Sequence, residues 1–546
     1  MPAESLFGFL ALIVIISAVL SIIRKTRIVA RQLRDEWGKG GRAYAMDEDA
    51  MIALRGCYSE MPKQEAAFAW VDEVTWNDLD MDAVFRHLNR TQSGAGEEAL
   101  YRMLHAIDAP YEELSRRDRW MQALTINEPN RIALQRQLRK LGREHDHGAF
   151  SYLKDPLSSK PRHGWAYYAL AVVPFVFLAL GFVDPYWLLG ILGSFLLNAA
   201  VYYRAKKVWI RELTAVRHIA AVLRVGRRLG RVSIDGMEDG FKELGALSAK
   251  LRAFGRWNAI FNMQRVADYD FITDYLRIAF QPDMIALCRL SEFIKKHAAE
   301  IMRVYQLVGE LDACIAVASV RETVKVYAVP KFWGQRRVEI KGAAHPLLKN
   351  PVTNDADWRK NMLVTGSNAS GKSTFVKAVA VNLILAQSVC TCWAKSVRMP
   401  RAQVITSMAI RDNVQGGESY FIVEIKSLKR ILTALRGDVL TLCFIDEILR
   451  GTNTVERIAA STALLTYIGA QNALCIAATH DMELTKLLPD YRQVHFREEI
   501  TPRGMVFPYR LMEGVSDTRN AIRLLEQMGF PEQVIEDADC MASEGN

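Results

Sequence analysis

The chain has 546 residues, 50% of them hydrophobic and 24% charged, with mean hydropathy near zero. That excludes a disordered chain, which carries too little apolar material to bury, and a small stapled domain; the length allows roughly two to four domains. The 70 Lys and Arg against 61 Asp and Glu leave a net charge of +9, which suits an anionic partner surface, nucleic acid or phospholipid.

Leu6 to Ile23 is an uncharged run followed at once by Arg24-Lys25-Thr26-Arg27. At 1.5 Å per residue it nearly crosses a hydrocarbon core. A cleaved signal peptide would place its positive charge before the run, whereas here it follows, so the pattern favours an uncleaved anchor within residues 1–32. From Leu33 to Lys160 the pattern is amphipathic and helical, with Val84-Phe85-x-x-Leu88 and Leu100-Tyr101-x-x-Leu104. Residues 164–203 are apolar apart from Asp184-Pro185, with aromatic residues at their edges and Lys or Arg on both flanks. They predict a transmembrane helical hairpin; the rival is a buried hairpin in a soluble core. Both signals give one topology: three spans, the N-terminus outside, and everything else on the cytoplasmic side of the plasma (inner) membrane. The scattered cysteines show no zinc-ligand spacing and read as reduced core residues of that compartment.

Residues 204–326 continue as helices. Their opening, Arg204 to Arg228, holds eight Lys or Arg and one acid, Glu212. It reads either as a solvated helix face with the positive-inside bias or, more sharply, as a contact for phospholipid headgroups or nucleic-acid phosphates. From about residue 327 to 546, short β-rich runs alternate with helices, the pattern of a mostly parallel sheet covered by helices.

Within this last part, the strand Asn361 to Thr365 runs into Gly366-Ser367-Asn368-Ala369-Ser370-Gly371-Lys372-Ser373-Thr374 and then a helix. This is the P-loop pattern in its required strand–loop–helix setting. Glycines let successive backbone N–H groups face phosphate oxygens, and the helix N-terminus adds a favourable dipole. Lys372 would reach the β- and γ-phosphates of ATP, and the Ser373 hydroxyl would ligate Mg²⁺. The apolar strand Val439 to Ile445 delivers Asp446 for the Mg²⁺ shell and Glu447 to orient and polarise the attacking water. A third strand, from Ala473, ends at His480, placed for the γ-phosphate or the lytic water.

Together these pieces resemble the ATPase domain of the MutS family of mismatch-repair ATPases. The resemblance rests on Asn368 in the P-loop, Asp-Glu-Ile-x-Arg-Gly-Thr at Asp446–Thr452, Ala-Thr-His at Ala478–His480 with Glu483-Leu-Thr485, and Gly416-Gly-Glu-Ser419-Tyr-Phe-Ile-Val-Glu424. Ala344-His345-Pro346 is similar to the family's opening of this domain, and Glu513-Gly514 with Ser516 to Leu525 to its close. Leu88-Asn-Arg-Thr91 through Leu124 resembles, more weakly, the start of its helical core. The resemblance implies an α/β P-loop NTPase domain preceded by an all-α core and lever, here interrupted by membrane helices. It implies a homodimer in which Ser419 reaches the nucleotide of the partner subunit, and Tyr509 against one face of the adenine. The family's mismatch-recognition and connector domains have no room ahead of the core, and Phe241-Lys-Glu243 and Phe496-Arg-Glu498 read as chance echoes of its mismatch wedge. The expected partners are duplex DNA or, alternatively, membrane lipid or a membrane protein. A transporter ATPase fits less well, because Leu-Ser-Gly-Gly-Gln is absent.

Overall fold

The computed structural model describes the chain except residues 1–2, 40–45, 62–69, 108, 144–147, 157–163, 253, 255–269, 368–369, 409–419, 436, 502–503, 516–527 and 545–546. It falls into two compact units. One comprises residues 1–63, 89–102 and 119–322; the other comprises 64–88, 103–118 and 323–546.

The first unit is helical. Its centre is the helix Ala298–Arg321, buried at nearly every position from Val304 onward. On that helix the Asp312 carboxylate accepts the Gln92 amide (2.9 and 3.0 Å) and the Ser93 hydroxyl (2.6 Å), just before the helix Gly94–His105. A carboxylate at a helix start is favoured by the dipole. Even so, burial outweighs these bonds and pushes Asp312 up to about 7. Nearby, the Tyr305 hydroxyl donates to Glu98 (2.7 Å) and lies 3.0 Å from His218 Nε2.

The apolar stretch forms two helices, Gly164–Gly181 and a second one, joined by a turn in which the Asp184 side chain accepts the Tyr186 amide. That second helix does not stop near Tyr203. It runs from Leu188 to Leu229, with non-helical dihedrals only at Trp209, so the boundary expected at 203/204 lies inside one element about 60 Å long at 1.5 Å per residue. No side chain of Gly164–Gly181 is buried, and Phe182 is 89% exposed. Both helices are long and apolar enough to cross a membrane. Asn198, fully buried, donates to the carbonyls of Leu170 (3.1 Å) and Ala279 (2.8 Å), tying both hairpin helices to the helix Asp270–Phe280. The first apolar run lies in the helix Ala3–Glu36, where Ile13, Ile16, Val19, Leu20 and Ile23 are exposed.

The second unit is α/β. Its strands are β1 Lys331–Phe332, β2 Val338–Ala343, β3 Asn354–Trp358, β4 Met362–Thr365, β5 Ser396–Met399, β6 Gln403–Ser407, β7 Thr441–Asp446, β8 Ala473–Ala478, β9 Arg492–His495, β10 Glu499–Thr501, β11 Gly504–Val506 and β12 Met512–Glu513. The central sheet has the order β12-β9-β4-β8-β7-β6, parallel except for β12. A smaller sheet has the order β1-β5-β2-β3. Strands β4, β7 and β8 are buried at every position, which explains their continuous apolar sequence. The helix Lys372–Ser388 covers them and is itself almost wholly buried.

Part of the upstream segment belongs to this unit. Along the edge strand β6, Thr406 donates its amide to Thr75 Oγ1 (3.2 Å) and its hydroxyl to Asp78 (2.6 Å), and the Met408 amide donates to Asp78 at 3.0 Å. The short helix Glu73–Asp78 thereby covers an edge that would otherwise present unpaired backbone groups.

Candidate functional site

The site is built where β4, β7 and β8 end side by side. Thr479 N donates to the Val364 carbonyl (3.0 Å) and Glu447 N to the Ala478 carbonyl (2.9 Å), so main-chain bonds continue past the strand ends and fix all three exits. At the exit of β4, Gly366 has φ 140°, and a Cβ there would stand 2.5 Å from the Phe496 carbonyl oxygen. Only glycine makes that turn. Phe496 is buried and packs against Phe375 beneath the loop, which gives the Phe496 triplet a core role. Ser370 closes the loop, its hydroxyl donating to the Ser367 carbonyl (2.7 Å), and Ser367 Oγ donates to Glu498 (3.0 Å). Gly371, at φ 104°, opens the helix, and Thr374 lies exposed in its first turn.

The Lys372 ammonium curls back inside the loop to the carbonyls of Gly366 (2.5 Å) and Ser367 (2.8 Å). Burial lowers its proton affinity, opposed by the negative charges of Glu447 and Asp446. Asp446 sits at the end of β7, hydrogen-bonded to the Ser373 side chain, and burial holds its carboxyl above the usual range. Its Oδ1 is buried without a hydrogen-bond partner. A hydroxyl and a carboxylate with an unsatisfied oxygen form a hard-oxygen set that fits Mg²⁺.

Glu447 follows in the left-handed region, φ 55°. One carboxylate oxygen is paired with Arg450 Nε and the other lies 3.5 Å from His480 Nδ1. His480 is 44% exposed, with Nε2 3.8 Å from Asp481. Asp481 is in turn held bidentately by Arg457 at 2.6 and 2.9 Å. Tyr509 also has positive φ, and its ring lies against Gly371, where an added Cβ would be 2.9 Å from Tyr509 Cδ1. The structure therefore brings together Gly366, Ser367, Ser370, Gly371, Lys372, Ser373, Thr374, Asp446, Glu447, His480 and Tyr509. Asn368, Ala369, Ser419 and the stretch from Ser516 to Leu525 lie outside the described residues.

Two contributors were not singled out from the sequence. Arg450 was visible only as a motif position, and nothing in the pattern indicated that it would pair with Glu447. Glu424, likewise visible only as the last position of a motif segment, is buried on the helix Tyr420–Ala434 and accepts the Leu449 amide.

A nucleotide-phosphate loop at the end of the parallel strand β4, with a carboxylate pair at the end of β7 on the far side of β8, defines a P-loop ATPase-type domain. The family model "MutS domain V" matches residues 362–544. Among curated proteins, the chain is 32% identical over 270 residues to the DNA mismatch repair protein MutS of Halalkalibacterium halodurans, covering 47% of this chain and 31% of that protein. It is 29% identical over 255 residues to the protein of that name from Thermotoga petrophila, covering 45% and 32%. Against the Thermus thermophilus protein it is 30% identical over 260 residues, covering 46% and 31%. The C-terminal part of the chain, residues 362–544, is thus similar to MutS domain V, and the chain spans about a third of the length of the curated relatives it matches.

Proposed function

We propose that the chain is a Mg²⁺-dependent ATPase seated in the plasma (inner) membrane, with its ATPase domain cytoplasmic, and that it works as a homodimeric, ATP-gated clamp on duplex DNA. The observation that carries the enzymatic reading is the meeting of Lys372, the Ser373–Asp446 pair, Glu447 and His480 at three adjacent strand ends. In this reading the loop amides and Lys372 bind the β- and γ-phosphates; Ser373 and Asp446 are the residues that would hold Mg²⁺, which would supply charge neutralisation at the phosphates. Arg450 fixes one oxygen of Glu447 and leaves the other facing His480, so that the carboxylate orients the attacking water while the imidazole holds the γ-phosphate side. Tyr509 lies against the adenine, and Ser419 completes the partner subunit's site. The mismatch-repair names of the relatives and the net charge of +9 support a nucleic-acid ligand. The exposed apolar hairpin supports membrane seating.

A second reading is a mechanochemical ATPase acting on lipid or a membrane protein. It is favoured by the continuity of the hairpin with the basic segment in one helix, where Arg204, Lys207 and Arg211 are exposed.

The deciding measurement is the ATPase rate of detergent-solubilised protein, with and without duplex DNA, across a salt series. A DNA effect that fades as salt rises supports the clamp, because phosphate contacts release counterions. DNA-independent turnover that responds to anionic lipid supports the second reading. Glu447→Gln should bind ATP yet hydrolyse it very slowly and trap the dimer; wild-type turnover would refute the assigned role. Mixing Lys372→Ala with Ser419→Ala subunits should restore one composite site, and no recovery would argue against sharing in trans.

A further inference from the structure

The turn that carries Glu447 is strained. Both Glu447 (φ 55°) and Leu449 (φ 57°) are left-handed without being glycine, a conformation that persists only when its surroundings over-determine it. On one side the hold is main chain, through Glu447 N to the Ala478 carbonyl. On the other side it is the helix Tyr420–Ala434. Glu424, 5% exposed on that helix, accepts the Leu449 amide at 2.5 Å through Oε1, and the Arg450 amide is bonded to the same carboxylate. Phe421, three residues earlier, lies so close to Gly451 that a Cβ there would be 3.1 Å from Phe421 Cβ. Arg450, whose backbone Glu424 holds, is also the residue whose side chain grips Glu447.

We infer that Glu424 is a positioning residue for Glu447. By accepting the Leu449 and Arg450 amides it holds the left-handed turn and, through Arg450, the direction of the catalytic carboxylate. The inference rests on the ATPase reading of Glu447. It requires an acceptor oxygen at position 424, not a negative charge, since both bonds come from backbone N–H groups.

The test uses the full-length protein in detergent. In Glu424→Ala the turn relaxes, and kcat for ATP should fall about tenfold or more while KM moves by less than about threefold, because misaimed chemistry leaves phosphate binding intact. Glu424→Gln keeps an acceptor and should hold kcat within about threefold of wild type. Adding Leu449→Gly to Glu424→Ala should recover about threefold or more of the lost kcat, because glycine adopts this φ without strain. Wild-type kcat in Glu424→Ala, a Glu424→Gln enzyme as slow as the alanine variant, or no recovery in the double variant would each overturn the inference. If Glu424→Ala does not fold, the glutamine variant decides alone: retained kcat supports the inference and lost kcat overturns it. Glu447→Gln is measured alongside. Activity in that variant means that the underlying ATPase reading has failed. An inactive Glu447→Gln beside a fully active Glu424→Ala means that only the positioning role has failed.

Discussion

Replacing Gly371 by alanine separates two contributions to the nucleotide loop. Gly371 has φ 104°, where an L side chain costs about 1–2 kcal/mol in backbone strain. The new Cβ would also stand 2.9 Å from Tyr509 Cδ1. That ring is 45% exposed and stacks on Phe507 at 6.1 Å, while the Tyr509 carbonyl is pinned by Asn354 Nδ2 at 2.9 Å. The ring therefore has room to turn although its backbone does not, and the steric share is about 0.5–1 kcal/mol, the cost of an off-rotamer side chain. Backbone strain is the larger part. A total near 2 kcal/mol corresponds to about thirtyfold weaker nucleotide binding. The assay is titration with a non-hydrolysable ATP analogue at fixed Mg²⁺ for wild type, Gly371→Ala, Tyr509→Ala and the double variant. Removing the ring relieves only the steric share, so the double variant should bind better than additivity predicts by about threefold. Affinity of Gly371→Ala within about twofold of wild type would refute the strain argument, and strict additivity would refute the contact with Tyr509.

Asp446→Asn should abolish the gain in ATP affinity given by Mg²⁺ while leaving affinity in chelator unchanged; titration in both conditions checks it. Burial raises the Asp446 carboxyl above its ordinary value, and metal binding needs the ionised form. The Mg²⁺-dependent gain should thus be complete at high pH and be lost, as pH falls, earlier than for an ordinary aspartate. Asp312 titrates near 7 in the folded unit, above its unfolded value. Its contribution to stability is therefore present below the unfolded pKa and is lost as pH rises through about 7. Relative to Asp312→Asn, which stays neutral, wild type should lose thermal stability over that interval; a pH-independent difference in Tm would contradict it.

The parallel strands were legible because β4, β7 and β8 are covered on both faces, which leaves continuous apolar runs such as Ala473–Ala478. The P-loop was legible because phosphate binding by backbone dictates glycines at fixed places. The order of the strands was not, since β4 lies between β8 and β9, strands more than a hundred residues away. Nor was the handedness of Glu447, because nothing in Asp-Glu-Ile-Leu-Arg announces a positive φ. The hairpin was readable from hydropathy. The run of its second helix to Leu229 had only a negative signal, the absence of proline from Tyr186 to Gln281.

The least legible link joins residues distant in sequence through side chains. Asp78 accepts from Thr406 and Met408 at the end of β6, and Arg430, on the helix Tyr420–Ala434, pairs with Asp72 and donates to the Thr406 carbonyl. Strand β6 and the helix Tyr420–Ala434 are therefore both bound to the region of the helix Glu73–Asp78. Burial of Asp78 raises its carboxyl, so these bonds hold the group in a setting it would not otherwise favour. A sequence reading groups Asp72 and Asp78 with the helices around them because local periodicity is all it sees. Their partners are polar side chains and main-chain groups 328 to 358 residues further on, and such pairing leaves no periodic trace. It is this anchoring that makes residues 73–78 part of the nucleotide-binding unit, independently of the helical core that follows them in the chain.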